Sequence, residues 1–233
     1  MIEEPPLLKI KKTRNRPTAS QIAAFENVPT SLIVDARGGR GALASNIMPV
    51  TKLPLQGHSV AGPALTAENH VGDILASFAA IHHAQPGDIL LAGFAGHQGC
   101  AAAGDRMIGM LKNAGGRAMI TDGPVRDIHG INQLDIPVWA TGLTPATPHL
   151  TGPGRVGFDL QIGGQSVGCG DMVICDADGV VIVPFDEIDQ VISAVQRVRE
   201  LEQALDEKVE KGLITSDRVL DILQSARTLI TDD

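Results

Sequence analysis

Apolar residues along the chain form short, nearly unbroken runs between glycine- and proline-rich turns up to about residue 184, and then switch to helical spacing. Runs of that kind suit strands covered on both faces, and the pattern predicts them at 31–36, 47–50, 59–68, 89–94, 117–120, 138–140, 156–162, 165–167 and 172–184. Helical spacing predicts short helices at 21–25, capped by Thr18 or Ser20, and at 73–83, 105–113 and 127–134. Gly163-Gly164 and Asp178-Gly179 read as hairpin turns, so the sheet is expected to be mixed. From Phe185 the residues Ile188, Val191, Ile192, Val195, Val198, Leu201 and Leu205 recur three or four apart, which predicts one long helix ended by Gly212. Ser216 then caps a second helix, 217–228, with Val219, Leu220, Ile222 and Leu223 on its inward side. The expected organisation is an irregular, flexible arm at 1–16, an α/β core at 17–184 and a helical extension at 185–233.

The stretch from Gly99 to Asp127 organises the rest: a glycine-rich turn, a helix from Asp105 stopped by Gly115-Gly116, a short strand, then Arg126-Asp127. In such a unit the groups beyond the strand ends and the first N–H groups of the helix face a common crevice suited to a small anion. Asp105 stands at the helix mouth, and Arg126 and Asp127 join it if the two loops are neighbours. An acidic residue at a helix start is also commonly a cap, and an Arg-Asp pair after a strand a structural ion pair.

Composition narrows the function classes. With 233 residues the chain can bury a core without disulfides, and its formal charge of -8 gives no overall attraction to nucleic acid. The one basic cluster, Lys9 to Arg16, reads as a solvated terminus or an arm touching RNA. Aromatic residues are only 3%, a poor basis for base stacking. The three cysteines, an odd number without metal-site spacing, favour a reducing compartment. Neither a signal-peptide pattern nor a membrane-spanning run occurs, so the expected location is the cytoplasm. Arg37-Gly-Gly-Arg40-Gly reads as an anion contact or lid, although it lacks the Lys-Ser/Thr ending of a phosphate-binding loop. His82-His83 point apart on a helix and are a poor metal pair, and Cys100 reads as packing more than as a reactive thiol.

VPTSLIVDA at 28–36, AGPALTAE at 61–68, QPGDILLAGF at 85–94, AGDRMIGMLKNAGGRAMITDGPVRD at 103–127 and GDMVICDADGVVIVP at 170–184 together resemble the family of the regulator of ribonuclease activity A and the class II pyruvate aldolases, over about residues 17–205. The resemblance implies a β/β/α fold like the swivelling phosphohistidine domain, in trimers or hexamers with sites near subunit interfaces. Catalytic members carry Asp, twenty residues, then Arg-Asp, and Asp105 with Arg126-Asp127 matches that spacing. By the resemblance Asp127 meets Mg2+ or Mn2+, Asp105 orients its water and Arg126 holds the pyruvyl group. The family pattern then places an acidic residue three positions on, where this chain has Gly130 beside His129. His129 is a substitute for it or a surface histidine. An acidic group from a neighbouring subunit is expected too, with Glu200 and Glu202 as candidates.

The implied chemistry is retro-aldol cleavage of 4-hydroxy-4-methyl-2-oxoglutarate or a related 4-hydroxy-2-oxo acid to pyruvate, with oxaloacetate decarboxylation through the same enolate. A hard cation polarises the 2-oxo group, Arg126 offers a planar fork, and N–H groups around Arg106 and Met107 add donors. No lysine but Lys112 stands in the central unit, which disfavours a Schiff base. The alternatives are a non-enzymatic regulator of an RNA-processing ribonuclease and another lyase or hydrolase of a related oxo acid. Arg37, Arg40 and His97 are candidates for the far half of the pocket.

Overall fold

The computed structural model describes residues 4–52 and 59–231; residues 1–3 of the expected arm and 232–233 of the expected extension lie outside them. In chain order the elements are β1 (Leu8–Ile10), α1 (Ala19–Phe25), α2 (Thr30–Ala36), β2 (Met48–Pro49), β3 (Val60–Asn69), α3 (Leu75–His82), β4 (Ile89–Gly93), α4 (Asp105–Asn113), β5 (Ala118–Thr121), α5 (Ile128–Ile131), β6 (Val138–Ala140), β7 (Gly154–Val156), β8 (Leu160–Ile162), β9 (Gln165–Val167), β10 (Met172–Cys175), β11 (Val180–Val183), α6 (Ile188–Glu210) and α7 (Asp217–Leu223). Strands β3, β4, β5 and β6 run parallel in that spatial order. Antiparallel β2 closes one edge, and β7 followed by β1 closes the other. The second half of β3 pairs with β4 and β7, and its first half with β10, which turns back as β11.

Alternation along β4 divides the core. Leu90 and Ala92 pack with Met107, Ile108 and Leu111 of α4 and with Ala76 and Ala80 of α3. Ile89 and Leu91 pack with Leu160, Ile162, Val173 and Ile182 of the second strand layer. Both faces of the parallel strands are therefore buried, which is why they read as unbroken apolar runs. The layers are strand, strand and helix: an α/β fold with a mixed sheet, of the swivelling-domain type.

Four expectations are corrected. Residues 31–36 form helix α2, not a strand: the Asp176 carboxylate accepts from Thr30 N and Thr30 Oγ1, both at 2.7 Å, and so caps the helix from 146 residues away. Leu32 and Ile33 fill its buried face. The arm is not irregular, because β1 pairs with β7, and Arg14 and Arg16 both donate to the Asp88 carboxylate, which is fully buried. Part of the basic cluster thus neutralises an internal charge. The expected strand 156–162 is two strands in different sheets, since the chain crosses between layers at 157–159, where Gly157 N donates to Thr66 O and Phe158 O accepts from Thr66 Oγ1.

The fourth correction concerns the extension. Two compact units divide the chain at Val195, so the first turns of α6, with Ile188, Val191 and Val195 buried, belong to the core unit. The unit 196–233 holds the rest of α6 and then α7, on which Val219, Leu220, Ile222 and Leu223 are all exposed. Two helices alone supply too little facing surface to cover such a stripe.

Asp73, just before α3, ties down the long loop 141–154. Its carboxylate accepts from Leu75 N at 2.8 Å, Thr151 N at 2.5 Å, Gly152 N at 2.9 Å and Thr151 Oγ1 at 3.1 Å. Burial pushes its pKa up, but the backbone and hydroxyl donors outweigh that and hold it below the usual carboxylate value. A depressed folded pKa means stability that is present at neutral pH and lost as pH falls through the folded value. In denaturant titrations, Asp73→Asn is expected to cost about 1–2 kcal/mol at pH 7, and the difference from wild type to shrink below about pH 4. Asp88→Ala, which leaves two guanidinium groups without their buried partner, is expected to cost about 3–5 kcal/mol in the same assay. Glu68→Ala, which opens the half-exposed pair with Arg155, is expected to cost less than about 1 kcal/mol.

Candidate functional site

The loops that follow β4, β5 and β6 meet at the C-terminal ends of the parallel strands, where open α/β sheets place their ligands. Backbone pairing joins them: Ala103 bridges to Val125 and Val125 to Leu143, while Arg126 N donates to Ala103 O at 3.0 Å. Asp122 adds a second tie, since its carboxylate accepts from Phe94 N at 2.5 Å and Gly96 N at 2.8 Å.

These ties set Asp105, Arg126 and Asp127 around one cleft of about 530 Å³, which Ile74, Phe78, Ala103, Gly104, Arg106, Met107, Thr147 and Pro148 also line. Asp127 holds a left-handed backbone, φ 60°, at the start of α5. A non-glycine residue in that region is strained by about 1–3 kcal/mol, a cost that clusters at functional sites. Arg126 Nε lies 3.4 Å from Asp127 Oδ2, and Arg126 Nη1 donates to Thr147 Oγ1 at 3.0 Å.

Two glycines make room for the carboxylates. A Cβ on Gly104 would lie 2.8 Å from Asp127 Oδ2, and one on Gly130 would lie 2.5 Å from Asp105 Oδ2. Position 130, where the family pattern has an acid, is thus the floor on which Asp105 rests. Asp105 does not act as the N-cap of α4. That position is Gly104, without a side-chain cap, and Asp105 Oδ1 instead accepts from Arg106 N at 2.7 Å. The Arg106 N–H expected to bind a carboxylate is therefore engaged, whereas among the described residues no hydrogen bond engages that of Met107.

The other candidates of the core unit are not among the residues that line the cleft. Arg37 is built into the core: it pairs with Glu187 at 2.9 Å and donates to Ile182 O at 2.6 Å, while Arg40 Nε donates to Arg37 O. Arg37 is neither an anion contact nor a lid, because its donors are spent on the fold, whereas Arg40 is exposed and commits its Nε alone. His97 packs edge-on against Phe94, and His129 is exposed on α5. Glu200 and Glu202 are exposed in the C-terminal unit, where Glu200 accepts from Gln196 Nε2 at 3.1 Å. Burial pushes the Cys100 thiol up, which fits packing and not reactivity. Sequence reasoning missed Thr147, Pro148, Ile74 and Phe78. The one available signal was the length of loop 141–154, since structureless loops that long commonly carry function.

Among the described residues no group of three or more His, Cys, Asp or Glu side chains converges as a metal cage. The donor set is two carboxylates, both open to water on an accessible cleft. That does not suit a closed zinc site but does suit Mg2+ or Mn2+, which keep most of their waters and take one or two carboxylates. No helix among the described residues is long and apolar enough to cross a membrane.

A family model described as RraA-like, Aldolase/RraA, matches residues 30–182. The chain is 34% identical over 201 residues to a protein of Halalkalibacterium halodurans provisionally named a 4-hydroxy-4-methyl-2-oxoglutarate aldolase, a match covering 86% of this chain and 91% of that one. Among solved structures it superposes on Streptomyces coelicolor RraAS2, described as an unusual member of the RNase ES inhibitor RraA protein family, with a TM-score of 0.71 and 25% identity over 83% of this chain and 99% of that one. An uncharacterized protein of Pseudomonas syringae superposes with a TM-score of 0.72 over 86% of this chain and 96% of its own, and at 21% identity shows the shared fold alone. With the model spanning the strand layers and the cleft, and the bacterial relative matching along most of its length, this chain belongs to the RraA-like family.

Proposed function

We propose that the chain is a divalent-metal-dependent lyase that releases pyruvate from a 4-hydroxy-2-oxo acid such as 4-hydroxy-4-methyl-2-oxoglutarate, and that it also decarboxylates oxaloacetate. The observation that carries this reading is the gathering of Asp105, Arg126 and Asp127 around one cleft at the uncapped mouth of α4. The name of the Halalkalibacterium halodurans relative supports it.

Mg2+ or Mn2+, held by Asp127 and Asp105 with water completing its shell, would supply a Lewis acid to the 2-oxo group. Arg126, freed from its long contact with Asp127, presents two parallel N–H donors to the substrate carboxylate and the 2-oxo oxygen. Met107 N–H lies at the positive end of α4 and adds a donor for the same carboxylate. As the 4-hydroxyl proton leaves to the water network and the C3–C4 bond breaks, charge grows on the pyruvate enolate, where these donors act most strongly. Asp105 then orients the water that returns a proton to C3. Oxaloacetate loses carbon dioxide through the same enolate. We further infer that the active assembly is a homotrimer or hexamer and that it works in the cytoplasm.

Two measurements test this reading. Pyruvate release from 4-hydroxy-4-methyl-2-oxoglutarate and from oxaloacetate should require Mg2+ or Mn2+ and stop on chelation. It should fall at least about 100-fold in Arg126→Ala and vanish in Asp127→Ala. No release and no cation binding by wild type would move the assignment to a ribonuclease regulator, and cation binding without release to another oxo acid. Gly130→Ala is expected to displace Asp105, cut turnover about tenfold and cost about 1–3 kcal/mol of stability, because a Cβ there would lie 2.5 Å from Asp105 Oδ2 and 2.8 Å from Asp105 Cβ.

A further inference from the structure

One charged side chain on the cleft has no part in the chemistry above. Arg106 lines the cleft beside Asp105, yet among the described residues no hydrogen bond or ion pair engages its guanidinium. The guanidinium of Arg126, in contrast, is tied to Asp127 and Thr147. Arg106 is the second residue of α4, where the positive end of the helix disfavours a cation. Leucine or glutamate would serve the helix at least as well. Fold stability therefore gives no reason for a cation at this position, whereas an anion in the cleft does.

The lining includes two cationic residues, Arg106 and Arg126, beside the apolar residues Ile74, Phe78 and Pro148. Arg126 is committed to the 2-oxo acid end of the ligand in the reading above, on which this inference rests. We propose that Arg106 is the specificity-determining residue of the cleft: it binds the far carboxylate of a dicarboxylic 2-oxo acid and so selects dicarboxylates over monocarboxylates of the same length. The volume of about 530 Å³ accommodates a chain of five to seven carbons with a charged group at each end. Arg106 is exposed, so water screens the pairing and the selectivity it gives is about tenfold, not thousands.

Binding without turnover provides the test. Calorimetric titration of the Mg2+-loaded protein with 2-oxoglutarate and with 2-oxopentanoate compares two five-carbon 2-oxo acids that differ in a terminal carboxylate against a methyl group. Wild type should prefer 2-oxoglutarate, Arg106→Leu should reduce the ratio of affinities about tenfold, and Arg106→Lys should keep part of it. An unchanged ratio in Arg106→Leu, an equal loss for both ligands, or binding of neither by wild type would overturn the proposal. An unchanged ratio alongside metal-dependent pyruvate release would leave the lyase reading standing, and a retained preference without pyruvate release would refute that reading alone.

Discussion

Two backbone bridges hold the site together: Ala103–Val125, which includes the hydrogen bond from Arg126 N to Ala103 O, and Val125–Leu143. They continue the parallel pairing of β4, β5 and β6 past the strand ends, so the loop before α4, the loop before α5 and loop 141–154 stay in register with the sheet. Both faces of those strands are buried in apolar layers. Polar chemistry can collect only where the strands stop, and Asp105, Arg126, Asp127 and Thr147 all lie there. Asp73 and Asp122 are the side-chain counterparts of these contacts, each accepting several backbone N–H groups from loops that would otherwise drift.

Close approach then arranges the charges. Gly104 and Gly130 are the surfaces on which Asp127 and Asp105 lie, and a methyl group at either would push a carboxylate away. The missing acid at position 130 thereby has a structural meaning. An acidic side chain there would compete with Asp105 for the same space, so the cleft carries two carboxylates where the family pattern has three. The strained backbone of Asp127 holds its carboxylate over the uncapped mouth of α4, where helix dipole, guanidinium and cation would act on one small anion.

Much of this was legible in the residues. Glycine stops and helical spacing delimit α4 at 105–113, and continuous apolar runs mark β4, β5 and β6, because local pattern and burial agree there. Helix α2 was hidden because its cap is Asp176, far away in sequence, and an apolar stretch such as Ser31 to Ala36 reads equally well as a strand. The docking of Arg14 and Arg16 on Asp88 was hidden for the same reason. The trio was visible through its place at the helix mouth and beyond the strand end, and through its spacing. Thr147 was not, because its contact with Arg126 depends on how Asp73 folds the loop, and Arg37 looked exposed among glycines although it is buried against Glu187 and the Ile182 carbonyl.

The central claim is that Asp105, Arg126 and Asp127 form one site for a cation and an enolate, and the most direct measurement is Mn2+ binding followed by electron paramagnetic resonance with and without oxalate, a stable mimic of the pyruvate enolate. The account requires that wild type bind Mn2+, that oxalate tighten that binding, and that the tightening disappear in Arg126→Ala. Absence of Mn2+ binding, or an oxalate effect that survives loss of Arg126, would contradict it.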